Sequence, residues 1–171
     1  MNSVDMSTVK SFSELARGFC DWCENNTVTV SHAAQVSSWL CKLHAAALEL
    51  PNVEICYWDD ELPELPEVAL NNVKRNLSSL NGFYYSEYYD PDPRLISTNE
   101  PGLGDVGDDL LDIYKDIKCG VVDFELEKVA GALWHWSRMH RDHWGRHAVG
   151  ASFALHCLVI SRGEQVCARA I

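Results

Sequence analysis

The chain has 171 residues, 47% of them hydrophobic, 23% charged and 10% aromatic. Such a chain can bury one continuous core without disulfides or metal and is short for two, so one domain over residues 1–171 is expected, outside the disordered and collagen-like classes. Fourteen Lys and Arg against 25 Asp and Glu give a formal charge of -11, a field that repels phosphate backbones and anionic lipid and so argues against nucleic-acid and membrane binding.

The charge is uneven. Glu54 to Asp116 holds 15 carboxylates against Lys74, Arg75, Arg94 and Lys115, whereas from Lys128 onward six cations face only Asp142 and Glu164. The asymmetry predicts that two parts of one fold attract each other. Met1 to Lys10 has neither the basic start nor the apolar run of a signal peptide, and no segment reaches the length of a membrane span, which predicts a cytosolic protein. Seven cysteines, an odd count, are then expected to be reduced and mostly buried.

Val9, Phe12, Leu15, Ala16, Phe19, Cys20 and Cys23 recur at three- and four-residue steps after Ser7, predicting a helix that stops at Asn25-Asn26. Ser31 is expected to cap a second helix through Val36, Trp39, Leu40, Leu43, Ala47 and Leu50, closed by Pro51. The two should form a hairpin. Asn52 to Glu67, with Pro63, Pro66 and six carboxylates, predicts an exposed acidic linker. Leu70, Val73, Leu77 and Leu80 predict a third helix ending at Asn81-Gly82. The aromatic run Phe83, Tyr84, Tyr85, Tyr88, Tyr89 leads into Asp90-Pro91-Asp92-Pro93, an aromatic-rich loop region and the place for any β-structure.

Asp105 should cap a fourth helix with the stripe Leu110, Ile113, Tyr114, Ile117 and Val121, and Gly120 suggests a break or kink near its end. Asp123 is expected to open a fifth helix with Val129, Ala132, Leu133, Trp136 and Met139 on one face, continuing through His140 to His147 into a sixth stretch ending at Gly163. The reading is an all-α bundle of five or six helices. Its core should hold Phe12, Phe19, Leu40, Leu43, Ile113, Ile117, Leu133, Trp136 and Leu158.

Asp108-Asp109-Leu110 with Asp112-Ile113-Tyr114-Lys115-Asp116, His143-Trp144-Gly145-Arg146-His147-Ala148, Ala154-Leu155-His156 and the run Tyr89-Asp90-Pro91 together resemble the bacterial family catalogued as domain of unknown function 5063. The likeness spans roughly the whole chain, with Gly150 standing where family members usually carry an acidic residue. It implies a small helical protein and no particular chemistry.

Three motifs invite chemistry. Gly102-Leu103-Gly104-Asp105-Val106-Gly107 has the spacing of a dinucleotide loop, but no apolar strand precedes it and five Asp between Asp105 and Asp116 would repel a pyrophosphate. Cys20 and Cys23 form C-x-x-C inside a helix, with no second pair to complete a zinc site, so structural thiols are expected. Asp108, Asp109, Asp112 and Asp116 make a row of the kind that binds magnesium. At about 100° per residue, Asp108 and Asp112 point away from the apolar stripe while Asp109 and Asp116 fall at its boundary, so a solvated acidic face is the expected reading.

His140, His143 and His147, at i, i+3 and i+7 on an unbroken helix, would share one face with Leu133, Trp136, Trp144 and Ala151 and point inward. Buried imidazoles need partners for both ring nitrogens. Carboxylates of the acidic helix are the expected ones, Asp109 and Asp116 above all, with a divalent metal as the alternative. His143 and His147 in H-x-x-x-H, with His44 late in the second helix, resemble in spacing the three-histidine site of DinB-like four-helix metalloproteins. Two functions follow: a non-enzymatic cytosolic interaction module for a protein partner or a second copy of the chain, using the aromatic run, or a divalent-metal-binding protein or metal-dependent hydrolase using His140, His143 and His147 with Asp109, Asp112 or Asp116.

Overall fold

The computed structural model describes residues 6–53, 63–88, 92, 94 and 100–168, without the side chains of 160–168. Residues 54–62 of the acidic linker, Cys56 among them, most of the Asp90 to Pro93 loop and the Cys167 side chain lie outside the described residues.

The protein is mostly α-helical, as its periodicity predicts. Helix α1 spans Met6–Asn25, α2 Ala33–Leu48, α3 Glu67–Leu77 and α4 Val106–Glu125. A last helical run begins with α5, Val129–Leu133, passes through two π-helical turns, Trp134–Arg138 and His140–Trp144, and continues as α6, Gly145–Ala168. Between α3 and α4, strands β1 (Tyr84–Glu87) and β2 (Gly102–Asp105) pair antiparallel with Tyr85 opposite Gly104. Strand β1 falls within the aromatic run, where β-structure was expected. Strand β2 was not, because its letters Gly-Leu-Gly-Asp carry almost no strand signal and only pairing with β1 makes them one.

Helix α4 is the centre of the bundle, packed against α1 and α6, while α2 packs on α6 and α3 on α1 and α4. Phe12, Phe19, Leu40, Leu43, Ile113, Ile117, Leu133 and Trp136 are buried in one apolar cluster, and Leu158 packs half-buried against it. Each of the fully buried large side chains contributes roughly 1.5–3 kcal/mol by leaving water. Phe12 meets Trp136 with ring centroids 5.1 Å apart, joining α1 to the π-helical segment. The exposed carbonyls at the end of α1 are satisfied from α3: the Asn76 amide donates to Cys23 and Glu24 oxygens at 3.0 and 2.9 Å, and the Asn72 amide to Glu24 at 3.0 Å.

Asp105 caps α4 as predicted, accepting from Gly107 N–H at 2.8 Å, and its other oxygen accepts from Gly82 N–H at 2.6 Å. That second bond closes the turn in which Gly82 takes φ 81°, a conformation suited to glycine. Four local expectations need correction. Helix α2 is entered through a 3₁₀ turn, Val30–His32, where Thr29 N–H donates to His32 Nδ1 at 3.0 Å, so Thr29 and His32 play the part assigned to Ser31. Gly120 does not break α4, which runs on to Glu125. A Cβ at Gly120 would fall closer than 3.0 Å to the Trp136 indole, so the glycine admits that ring, whose Nε1–H donates to Ile117 O at 3.1 Å. Asp123 opens no helix; it lies buried within α4, and the chain turns instead at Glu127, φ 60°. Among the cysteines, Cys20 and Cys23 are buried but Cys41 and Cys157 are exposed, and the five described ones are free thiols.

Candidate functional site

Two histidines of the last helical run, His143 and His147, meet carboxylates of α4 at one side of the bundle. His147 Nδ1 lies 2.7 Å from Asp109 Oδ1, and His143 Nδ1 lies 2.7 Å from Asp116 Oδ2. Asp109 and Asp116 are the two residues the helical wheel put at the boundary of the apolar stripe, and Asp108 is exposed, as that wheel requires, whereas Asp112, expected on the same outward side, is only half-exposed and lies near His143 and His147. The acidic and basic parts of the chain attract each other here, and the Arg146 guanidinium 2.9 Å from Glu87 on β1 adds a third link.

Asp109 is only 4% exposed, so both of its oxygens need donors. Tyr85, reaching in from β1, donates its hydroxyl to Oδ2 at 2.8 Å. The bond to Asp109 raises the His147 pKa above the ordinary imidazole value, against an opposing effect of burial. Burial raises the Asp116 carboxyl above its usual range, with His143 pulling the other way. Tyr85, raised by burial and by Asp109, keeps its proton and acts as a fixed donor.

Asp112, His143 and His147 can each present one ligand atom such that all three lie within 4.8 Å of one another. Each imidazole has Nδ1 committed to a carboxylate, which leaves Nε2 for a cation. Asp112 is also held by Lys115, 2.8 Å from its Oδ1. Metal–nitrogen bonds of about 2.0–2.1 Å place neighbouring donors roughly 3–3.5 Å apart, so the three ligand atoms would have to draw closer together to share an ion. The side chains of His143 and Asp112 are 39% and 33% exposed, so one side of such an ion would meet solvent.

His140 does not join this group. Its Nε2 hydrogen-bonds His44 Nδ1 on α2 at 2.9 Å, and its ring packs edge-on against Trp144 with centroids 4.6 Å apart. Burial, with smaller contributions from His44 and Arg141, lowers its pKa to about 4. The π turn His140–Trp144 separates them: an i→i+5 turn holds more residues than an α turn, so the face on which the three histidines would align is rotated between His140 and His147. Gly145 permits this turn, since a Cβ there would strike the His140 carbonyl and ring. Trp144 Nε1–H takes up the His135 carbonyl at 3.0 Å. The spacing likeness to a three-histidine site that includes His44 therefore fails: His44 pairs with His140, and the cluster's third member is Asp112.

Sequence reasoning missed Tyr85, which the hairpin alone brings to Asp109. The G-x-G letters find their use in the same place. A Cβ at Gly104, opposite Tyr85 in the sheet, would fall closer than 3.0 Å to the tyrosine ring, so the glycine gives that ring room. A groove of about 250 Å³ runs beside the cluster, lined by Tyr85, Tyr88, Arg146, Val149 and Phe153 among others. Among the described residues no helix is long and apolar enough to cross a membrane.

Protein BF1032 from Bacteroides fragilis, known from a crystal structure, has the same fold with a TM-score of 0.67 and 23% identity, over 88% of this chain and 94% of that one. No curated protein matches the chain. The model of the family described as Domain of unknown function (DUF5063) matches residues 5–161, nearly the whole length, and with the carboxylate–histidine pairs of α4 and α6 lying inside that match, the chain belongs to the DUF5063 family.

Proposed function

We propose that this protein binds a divalent transition-metal cation between α4 and the start of α6, with Asp112, His143 and His147 as its protein ligands. The observation that carries this reading is that both imidazoles are fixed through Nδ1 by carboxylates, Asp116 and Asp109, each at 2.7 Å. Metal-ligating histidines are oriented in this way, their outer nitrogen bonded so that the inner one is aimed and kept basic. Two imidazoles and a carboxylate suit zinc, iron, manganese or nickel better than magnesium or calcium, which prefer all-oxygen shells. Three protein ligands with a solvent-facing side leave positions for water or substrate, the pattern of catalytic sites, and metal-assisted hydrolysis is the activity such a site would support.

Elemental analysis of protein purified without a histidine tag tests this directly, followed by melting with added zinc, manganese, iron(II) and nickel. The expected result is close to one equivalent of one of these metals. A cation at 100 times its Kd stabilises by about 2.7 kcal/mol, a melting shift of roughly 5–11 °C for a chain of this size, and His147→Ala abolishes it. Trace metal content and no melting shift with any of the four would remove the proposal.

A second reading, a cytosolic interaction module, rests on exposed apolar side chains beside the same site. Tyr84 and Leu103 are exposed on the hairpin, 64% and 72%, and Val149 and Phe153 along the groove, 53% and 66%. Sedimentation equilibrium of the wild type and Phe153→Glu tests its self-associating form: a dimer lost in the variant supports it, and a concentration-independent monomer removes it.

A further inference from the structure

Tyr85 stands apart from the candidate ligands yet shares their most buried carboxylate. Its hydroxyl donates to Asp109 Oδ2 at 2.8 Å while His147 Nδ1 meets Oδ1 of the same group at 2.7 Å. Its ring lies between two glycines on different elements. A Cβ on Gly104 of β2 or on Gly150 of α6 would each come closer than 3.0 Å to Tyr85, the second striking the hydroxyl itself. Neither glycine has the positive φ that would demand glycine for the backbone's sake. What both positions share is the tyrosine.

We infer that Tyr85 is a positioning residue for the metal site, holding Asp109 so that the carboxylate fixes the tautomer and direction of His147, with Gly104 and Gly150 cut away to seat it. The inference rests on the cation-binding reading for its purpose but on the hydrogen-bonded chain alone for its geometry. A carboxylate held at both oxygens cannot rotate about its terminal bond, so His147 keeps its proton on Nδ1 and its free pair on Nε2. With the hydroxyl gone, Asp109 is held at one oxygen, the carboxylate swings, and the imidazole samples both tautomers. The two strands thus serve the site by delivering one hydroxyl to it.

Two variants act on the chain by different routes. Tyr85→Phe removes the hydroxyl and keeps the ring; Gly150→Ala keeps the hydroxyl but pushes it off Asp109. Two readouts are taken, the hydrogen-bonded His147 Nδ1–H proton resonance in metal-free protein at constant neutral pH, and the zinc affinity by calorimetry. Both variants are expected to broaden or lose the Nδ1–H signal through faster exchange with solvent and to bind zinc about tenfold more weakly. The double variant should be no worse than either single one, because both break the same bond. Tyr84→Phe, altering an exposed neighbour, should change neither readout.

A Tyr85→Phe protein with an unchanged Nδ1–H signal and unchanged zinc affinity would overturn the inference. So would additive losses in the double variant. If wild-type protein binds no zinc or other divalent cation, the cation-binding reading fails by itself, and the Nδ1–H signal still decides whether Tyr85 sets Asp109.

Discussion

Replacing Asp109 with Asn probes the junction between the acidic and basic halves. Asp109 is 4% exposed and serves two donors, Tyr85 Oη–H at 2.8 Å and His147 Nδ1–H at 2.7 Å. The amide keeps nearly the same shape but offers one acceptor oxygen, so it satisfies one donor with a neutral bond and turns its own NH₂ toward the other. An orphaned buried donor costs about 1–3 kcal/mol, and exchanging a charged for a neutral acceptor about 1 kcal/mol more, so a loss of about 3 kcal/mol is expected. At roughly 2–4 °C per kcal/mol for a chain of this size, the melting point should fall by about 6–12 °C. Asp108, one residue away and exposed, should tolerate the same change within about 0.5 kcal/mol. Urea melts of the two single variants at neutral pH, with equal slopes, make the comparison. A loss at Asp109 no larger than at Asp108 would refute the claim that Asp109 joins the two halves.

Acidification should destabilise the protein through its buried imidazoles. Burial lowers His135 and His140 to about 4, so the unfolded chain takes up protons first; the stability they confer is full above their unfolded pKa near 6.5 and is lost as pH falls toward 4. At pH 5 each should have lost about 2 kcal/mol, while His147 and Asp116, both raised, act in the opposite sense and reduce the total. Urea melts between pH 8 and pH 5 check this, and a flat profile would contradict it. Gly120→Ala should drive a methyl into the Trp136 indole and break its bond to Ile117, costing about 1–3 kcal/mol and quenching or shifting tryptophan fluorescence. Wild-type stability in that variant would mean that the ring can move aside at no cost.

Much of the fold was legible because apolar periodicity reports burial directly. Seven of the α1 positions repeat at helical spacing, and Val9, Phe12, Ala16, Phe19, Cys20 and Cys23 are all buried. The pairing of Asp109 and Asp116 with histidines was legible too: residues at the edge of an apolar stripe are half-desolvated, and a half-desolvated carboxylate in an acidic helix needs a cationic or donor partner from a basic one. The four-residue strand β2 was not, since Gly102-Leu103-Gly104-Asp105 gains its hydrogen bonds only from a strand fifteen or more positions away. Asp123 was misread for a similar reason, because Glu127 ends α4 in a left-handed conformation without the glycine that usually signals one.

By itself, then, the sequence determined the helices, their buried faces and which carboxylates of α4 would seek partners, all consequences of local spacing and of the cost of burying unpaired charge. The tertiary structure decided which histidines answer. The π turn His140–Trp144, which Gly145 admits, turns His140 toward His44 and leaves His143 and His147 facing α4. The same structure chose Tyr85 as the second donor to Asp109. A side chain's distance along the chain says nothing of its distance in space, and only the hairpin and the two glycines that flank its ring bring that hydroxyl within 2.8 Å of the carboxylate.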